Sequence, residues 1–234
     1  MGERKVPGGG LTVAAVFAAV LAACSGYGAH GGDAGHRGER AAAPAPRLSV
    51  AALRKKAAAA GRECPVAYRP GAALRAAGVR GEAARVEGGS VLGELPDGPD
   101  EPLTRARGAL VDCGYRLGGE RARLFTVGVR KGYAVAVLLP QIQHDARLTM
   151  DQLRRFARQA RDAEPGRPLL APGGNVAAVR LPGAGDGDVA LVVTLGEGRT
   201  RLSGRQVATL ADRLAEQAPG GDAAGAASTR KSHR

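Results

Sequence analysis

The middle of the chain alternates apolar and polar positions, a pattern that predicts β-strands. Residues 111–117 (VDCGYRL) alternate with a period of two, which predicts a half-buried strand with Cys113 on its inner face. Phe125, Val127 and Val129 form the inner face of a second strand. After a turn at Lys131-Gly132, residues 133–139 are expected to return as a third strand, so that residues 122–139 form a hairpin.

Two later segments have helical periodicity and matching start signals. Residues 148–160 (LTMDQLRRFARQA) and 202–214 (LSGRQVATLADRL) each place a Thr or Ser three residues before a Gln, and a Leu before the hydroxyl residue. These are capping boxes with hydrophobic staples, so a helix is expected to start at each. A second hairpin, Val176–Leu181 with Asp188–Leu195, precedes the later helix.

The order strand, strand, helix therefore occurs twice. Such units predict an α+β fold, an antiparallel sheet with helices packed on one face, built from two repeated strand-strand-helix units. Chance similarity between two amphipathic helices is the alternative, because capping signals recur in unrelated proteins.

Shorter signals lie before the first strand. Ser49 can cap a helix that ends at Gly61, and Pro70 with Gly78 predicts a short helix over 70–77. Residues 93–108 are rich in Pro, Gly and Asp and are expected to form a loop. Its acidic residues lack the spacing of a calcium-binding loop, so turn formation explains them better.

The N-terminus has the three parts of an export signal. Arg4 and Lys5 precede an apolar stretch that starts at Leu11 and is too short to span a bilayer. It ends in Leu21-Ala22-Ala23-Cys24, which resembles the lipobox of bacterial lipoproteins. That resemblance implies cleavage before Cys24 and a diacylglyceryl group on its thiol, which is an anchor to the cell membrane on the extracytoplasmic face. The alternative is an ordinary signal peptide with a chance cysteine.

These signals divide the chain into four parts. Residues 1–23 are the lipoprotein signal peptide, and residues 24–46, rich in Gly, Ala and Pro, are a flexible tether. Residues 47–217 form a single α+β domain, and residues 218–234 a disordered tail. His30 and His36 in the tether have no further ligands nearby, so we expect no metal there.

The two remaining cysteines, Cys64 and Cys113, are expected to form a disulfide. An even pair in a chain bound for an oxidising compartment favours pairing. Two buried free thiols or one reactive thiol are the alternatives.

The charge is strongly positive but has limited meaning. The chain has 34 Lys and Arg against 22 Asp and Glu, a formal charge of +12. Because Arg dominates and Ala and Gly abound, as in proteins from G+C-rich genomes, we do not infer a nucleic-acid partner. An anionic membrane or envelope polymer could contact a basic stripe on the first capped helix (Arg154, Arg155, Arg158 and Arg161), although a solvated helix face explains it as well.

No established catalytic motif is present. There is no nucleophile elbow, zinc-protease motif, Walker loop or dinucleotide fingerprint, and the pair Gly196/Gly198 is weak evidence for phosphate binding. His144 is the one histidine inside the domain, and no partner for it is evident. We therefore expect no cofactor and a non-enzymatic binding or accessory domain. The alternatives are an assembly partner of another envelope protein and, less favoured, a hydrolase.

The layout resembles a family, the small secreted lipoproteins of actinobacteria known only as domains of unknown function. The matching features are the lipobox, the tether, Cys64 before a short helix, Cys113 in a strand with Tyr115 after it, and the closing Leu202-Ser203-x-x-Gln206. The resemblance implies an envelope-associated binding domain with a PsbP/Mog1-like sheet and no assigned chemistry.

Overall fold

The computed structural model describes residues 47–59, 63–86, 91–95, 108–183, 185 and 187–218, with the backbone alone for 91–95. The predicted export signal with Cys24, the predicted tether with His30 and His36, the acidic residues Asp97, Asp100 and Glu101, and residues 219–234 lie outside them. The described residues belong to one compact unit. In chain order its elements are α1 (Val50–Ala59), α2 (Pro70–Ala76), β1 (Ala83–Arg85), β2 (Val91–Leu95), β3 (Gly108–Leu117), β4 (Glu120–Val129), α3 (Ala134–Val137), α4 (Leu139–Ala146), α5 (Met150–Asp162), β5 (Pro168–Leu170), β6 (Val176–Leu181), β7 (Asp188–Leu195) and α6 (Gly204–Gln217).

The strands of the described chain form one antiparallel sheet in an α+β fold. Its order is β1-β3-β4-β7-β6-β5, and β2 also pairs with β3. The hairpins β3–β4 and β6–β7 lie side by side, with β4 and β7 at the centre. Strands β2 and β1 divide the outer edge of β3, pairing with residues 108–111 and 115–117 respectively.

Apolar side chains cover both faces of this sheet. Alternate positions such as Leu124 and Leu191 join a core formed with α1, α2 and α6. Their neighbours Phe125 and Val192 join a second core with α3, α4 and α5, centred on Phe156. The expectation that the helices pack on one face is therefore wrong. The strands carry apolar residues on both sides, which a one-sided sheet would not need.

Both predicted capping boxes are confirmed. The Thr149 hydroxyl accepts the backbone N–H of Gln152, whose side chain accepts the N–H of Thr149, and Ser203 and Gln206 do the same. Ser49 also caps α1, accepting the N–H of Ala52 at 3.0 Å. The hairpin β6–β7 and the helix that starts at Pro70 lie where the sequence predicts them.

Two assignments from the sequence were wrong. Residues 133–139 do not form a strand, because Ala134–Val137 and Leu139–Ala146 are helices. Every residue from Tyr133 to Leu139 is apolar or aromatic, so there is no true alternation, and Pro140 suits the first turn of a helix. The predicted loop over 93–108 is also partly wrong, since residues 93–95 belong to β2 and Gly108 starts β3.

The predicted cysteine pair is present as a disulfide. Cys64, in the segment between α1 and α2, bonds to Cys113 in the middle of β3, with 5.6 Å between their Cα atoms. Nearby, the hydroxyls of Tyr68 and Thr126 form a buried hydrogen bond of 2.6 Å. These two links attach the α1–α2 connection to the centre of the sheet.

The last residue that the structure describes, Ala218, belongs to the core. Ala218, assigned to the tail from the sequence, is 1% exposed and packs in the core with α6. In the part of the chain that the structure describes, no helix has the length and apolar character needed to cross a bilayer.

Candidate ligand cleft

A cleft of about 1060 Å³ opens on the sheet face that carries α3, α4 and α5. Among the described residues, these helices cover one end of the face and leave the other end uncovered. Its floor comes from β3, β4 and β7, and its walls from α4 and from the connection between β7 and α6, residues 196–201. We call this space the cleft.

The strand register fixes the layout of the floor. Gly114 lies opposite Arg123, which in turn lies opposite Thr194, so these three positions form one row across three strands. The next row outwards pairs Arg116 with Arg121. The row on the inner side pairs Asp112 with Phe125, where the apolar core begins.

Gly114 leaves the centre of the floor open. A Cβ atom built on Gly114 would meet only the Cβ of Val86, at 3.7 Å, within ordinary contact distance. A glycine in the interior of a strand weakens the strand and often marks a close approach of a ligand or another backbone. No described residue therefore fills the space directly above Gly114 in β3.

One arginine of the cleft is held by a carboxylate. Asp112 is 5% exposed and forms an ion pair with the guanidinium of Arg123, whose Nε also donates to Asp112 Oδ1 at 3.3 Å. The same guanidinium stacks on the ring of Phe125, 4.5 Å from its centroid. Asp112 thus gains the partner that a buried charge requires, and Arg123 is oriented at the boundary between cleft and core.

The connection between β7 and α6 is tied to the start of β4. Glu120 accepts the Thr200 hydroxyl at 2.8 Å and the backbone N–H of Arg201 at 2.7 Å. Gly196 and Gly198 both have positive φ, and a Cβ on Gly196 would lie 2.6 Å from the carbonyl oxygen of Arg199. Glycine is needed there for this wall to fold back over the sheet.

Asn175 joins the two walls. Its side chain is fully buried, and its Nδ2 donates to the carbonyl oxygens of Asp145 and Leu195, at 2.9 and 3.2 Å. The same Asp145 carbonyl accepts the N–H of Gly198 at 2.6 Å. The end of α4, the end of β7 and the Gly196–Gly198 turn are therefore held together at the back of the cleft.

His144 lies on the α4 wall beside a buried carboxylate. Its Nδ1 lies 3.1 Å from Asp145 Oδ1, while 72% of the His144 side chain is exposed. Gln141 Nε2 donates to the same Oδ1 at 2.7 Å, and Asp145 Oδ2 has no hydrogen-bond partner. The carboxylate orients the imidazole, but among the described residues no hydroxyl or thiol bonds to His144.

The structure brings only part of the sequence-predicted chemistry to this cleft. His144 lines it, and the partner that the sequence did not reveal is the adjacent Asp145. The basic stripe on α5 lies elsewhere, and its members are partly engaged, since Arg154 pairs with Asp151 and Arg161 stacks on Tyr133. Cys64 and Cys113 are structural.

The sequence did not predict that the floor residues form a site, although the Gly118-Gly119 pair could have indicated that Arg116 and Arg121 lie opposite each other. Gly118-Gly119, both with positive φ, form the two-residue turn of the β3–β4 hairpin. A Gly-Gly pair between alternating segments predicts such a turn, and would have placed Arg116 opposite Arg121.

Among the described residues, no group of three or more His, Cys, Asp or Glu side chains could hold a metal ion. No protein-family model, curated protein or solved structure matches this chain. The cleft must therefore be interpreted from its own chemistry.

Proposed function

We propose that this protein is a membrane-anchored lipoprotein of the extracytoplasmic face, whose folded domain binds a ligand in the cleft without transforming it. The lipobox ending in Cys24 supports the anchor, and a disulfide between Cys64 and Cys113 fits an oxidising compartment. The proposed kinship with actinobacterial secreted lipoproteins rests on the same features. The repeated units and the PsbP/Mog1-like sheet remain predictions.

The open floor at Gly114 is the observation that carries the binding proposal. A cleft of this volume can hold a small molecule, and the convergent polar groups of its floor would orient that molecule. Its walls are held by Glu120 and Asn175, so the space is preformed. A preformed site loses little conformational entropy on binding, which favours affinity.

The binding test compares the full-length wild-type chain with Gly114→Phe, whose ring would occupy the floor. Both are heated in the presence of a small-molecule extract of the bacterial envelope. Occupancy at 100 times Kd stabilises a protein by about 2.7 kcal/mol. We expect the extract to stabilise the wild type and to leave Gly114→Phe unchanged. An equal response of both proteins, or none from the wild type, would contradict the proposal.

The anchor is tested separately in cells. A clickable fatty acid should label the wild-type protein, and the mature form should start at the lipidated Cys24. Cys24→Ser should abolish labelling and either release the protein into the medium or leave it unprocessed. Labelling that persists in Cys24→Ser would contradict the anchor without affecting the cleft.

The contact between His144 and Asp145 favours a hydrolase as the second candidate. A carboxylate-oriented imidazole is the arrangement of a general base. Thr200 donates its hydroxyl to Glu120, and the Thr194 hydroxyl makes no hydrogen bond to His144, so neither threonine of the cleft is activated by that imidazole among the described residues. Turnover of ester or phosphoester substrates that is lost in His144→Ala would support this candidate, and activity unchanged in His144→Ala would exclude His144 as its base.

A further inference from the structure

Four arginines converge on the cleft without a carboxylate partner. Arg116 and Arg121 lie directly opposite each other on neighbouring strands, and Arg199 and Arg201 come from the facing wall. None of these guanidinium groups pairs with a carboxylate among the described residues. Arg116 donates to the Gly119 carbonyl at 3.3 Å, and the nearby Glu120 is bonded to Thr200 and to a backbone N–H.

The Arg116–Arg121 pair is unfavourable unless an anion joins it. Like charges directly opposite each other on one face of an antiparallel pair are destabilising. Arg123, in the neighbouring row towards the core, differs from this pair because Asp112 neutralises it within the fold. No carboxylate of the described residues pairs with the outer row, so a bound anion would neutralise its two positive charges.

Thr194 adds a neutral donor next to these charges. It is 3% exposed, lies in the floor row opposite Arg123, and borders the cleft. Its hydroxyl makes no hydrogen bond within the described residues. The hydroxyl oxygen is not among the fully buried polar atoms that lack a partner, so it is open to the cleft and can donate to a ligand.

The geometry points to a phosphoryl-bearing ligand whose phosphate bridges Arg116 and Arg121 and accepts the hydroxyl of Thr194. This inference rests on the proposed function of the cleft.

A phosphate monoester carries about two negative charges at neutral pH and three acceptor oxygens. It can therefore serve both guanidinium groups and the hydroxyl at once, whereas a carboxylate has one charge and two oxygens. Arginine forks match phosphate oxygens in bidentate geometry. Arg199 and Arg201 would add further positive charge from the opposite wall.

The test measures binding of glycerol 1-phosphate to the full-length chain in non-ionic detergent, by calorimetry, with glycerol and acetate as comparison ligands. Arg116→Gln and Arg121→Gln remove the proposed contacts. Arg155→Gln and Arg158→Gln, on the exposed face of α5, make the same change of charge away from the cleft. We expect the cleft variants to bind glycerol 1-phosphate about tenfold more weakly or worse, the usual effect of a lost charged hydrogen bond. The affinity of the α5 variants for glycerol 1-phosphate should stay within about twofold of the wild-type affinity, because salt screens charges that are far from the cleft.

A second readout separates ligand contact from a structural role. Without phosphate, Arg116→Gln should melt at the wild-type temperature or above it, because the substitution removes like-charge repulsion. A structural arginine would show a lower melting temperature instead. Loss of binding together with a large fall in melting temperature would overturn the inference.

Vesicles identify the source of the phosphate. Phosphatidic acid vesicles, with phosphatidylcholine as the neutral control, present a phosphate monoester as a lipid headgroup. Binding of soluble glycerol 1-phosphate that the cleft variants lose supports a free phosphate ligand. Binding of vesicles alone, with loss confined to the cleft variants, supports a headgroup.

Equal losses in cleft and α5 variants, or no binding of either probe, would overturn the inference. If the envelope extract still stabilises the wild type and not Gly114→Phe, the phosphoryl assignment fails alone and the cleft proposal stands. If the extract also fails to stabilise the wild type, both the phosphoryl assignment and the cleft proposal fail.

Discussion

Valine at two glycine positions of the sheet should change stability in opposite directions. Gly114 and Gly128 both lie within long strands, and neither has a positive φ. A Cβ on Gly114 has one neighbour, at 3.7 Å, above an open floor. A Cβ on Gly128 would lie 3.3 Å from Leu53 Cδ2 and 3.4 Å from Val50 Cγ2, both on α1. Replacing glycine should lower the entropic cost of folding by a similar amount at the two sites. The space available for a larger side chain differs between them.

The magnitudes follow from these distances. Replacing glycine in a strand interior removes an entropic penalty of about 0.5–1 kcal/mol, and β-branched residues are favoured in strands. We expect Gly114→Val to stabilise the domain by about that amount. Overpacking a filled core costs roughly 1–3 kcal/mol, so Gly128→Val should be destabilised by about 0.5–2 kcal/mol after the same backbone gain.

Urea unfolding of both variants, followed by circular dichroism, measures this difference. For a domain of this size each kcal/mol corresponds to roughly 2–4 °C in Tm, so thermal unfolding gives an independent check. A destabilised Gly114→Val would refute the claim that the floor is open. A stabilised Gly128→Val would refute the close packing of α1 on the sheet. A stable Gly114→Val also means that a glycine there is not required for folding.

Three further predictions concern what holds the fold and the cleft together. Replacing Cys64 and Cys113 by Ala opens a covalent loop with a sequence separation of 49 residues, and the chain-entropy estimate gives a loss of about 4 kcal/mol in urea unfolding. Burial raises the pKa of Tyr68 above its ordinary value of 10.0, so the unfolded state loses that proton first as pH rises. The contribution of Tyr68 to stability should therefore be full below pH 10 and fall above it. Tyr68→Phe should reduce the alkaline loss, part of which remains because burial also raises the pKa of Tyr115. The same substitution should cost about 1–3 kcal/mol at neutral pH, because the Thr126 hydroxyl loses its partner. Asn175→Ala should cost about 1–3 kcal/mol and speed amide exchange at Gly198, whereas unchanged exchange would show that Asn175 does not hold the walls.

Local signals predicted much of this fold. The capping boxes at Thr149 and Ser203 located α5 and α6, since each motif satisfies helix N–H groups within a few residues of sequence. Alternation located β3 and the β6–β7 hairpin. These features depend on short-range chemistry, and the structure agrees with them.

Long-range features could not be predicted in the same way. The side of the sheet on which α5 packs depends on the path of α3 and α4, where an unbroken apolar run concealed the helical period. The cleft combines residues from β3, β4, α4, β7 and the connection after it, so it exists only once the register is fixed. Asp112 was predicted to be a polar, outward-facing position, and it is buried because Arg123 pairs with it across the hairpin.

Amide hydrogen exchange on the full-length chain, with and without saturating glycerol 1-phosphate, tests the central claim most directly. We expect exchange to slow along residues 194–201 and around Arg116 and Arg121, which a bound phosphate would contact, while α5 stays unchanged. Protection confined to α5, or no change anywhere in the domain, would contradict the assignment of the cleft as the site that binds a soluble phosphate ligand.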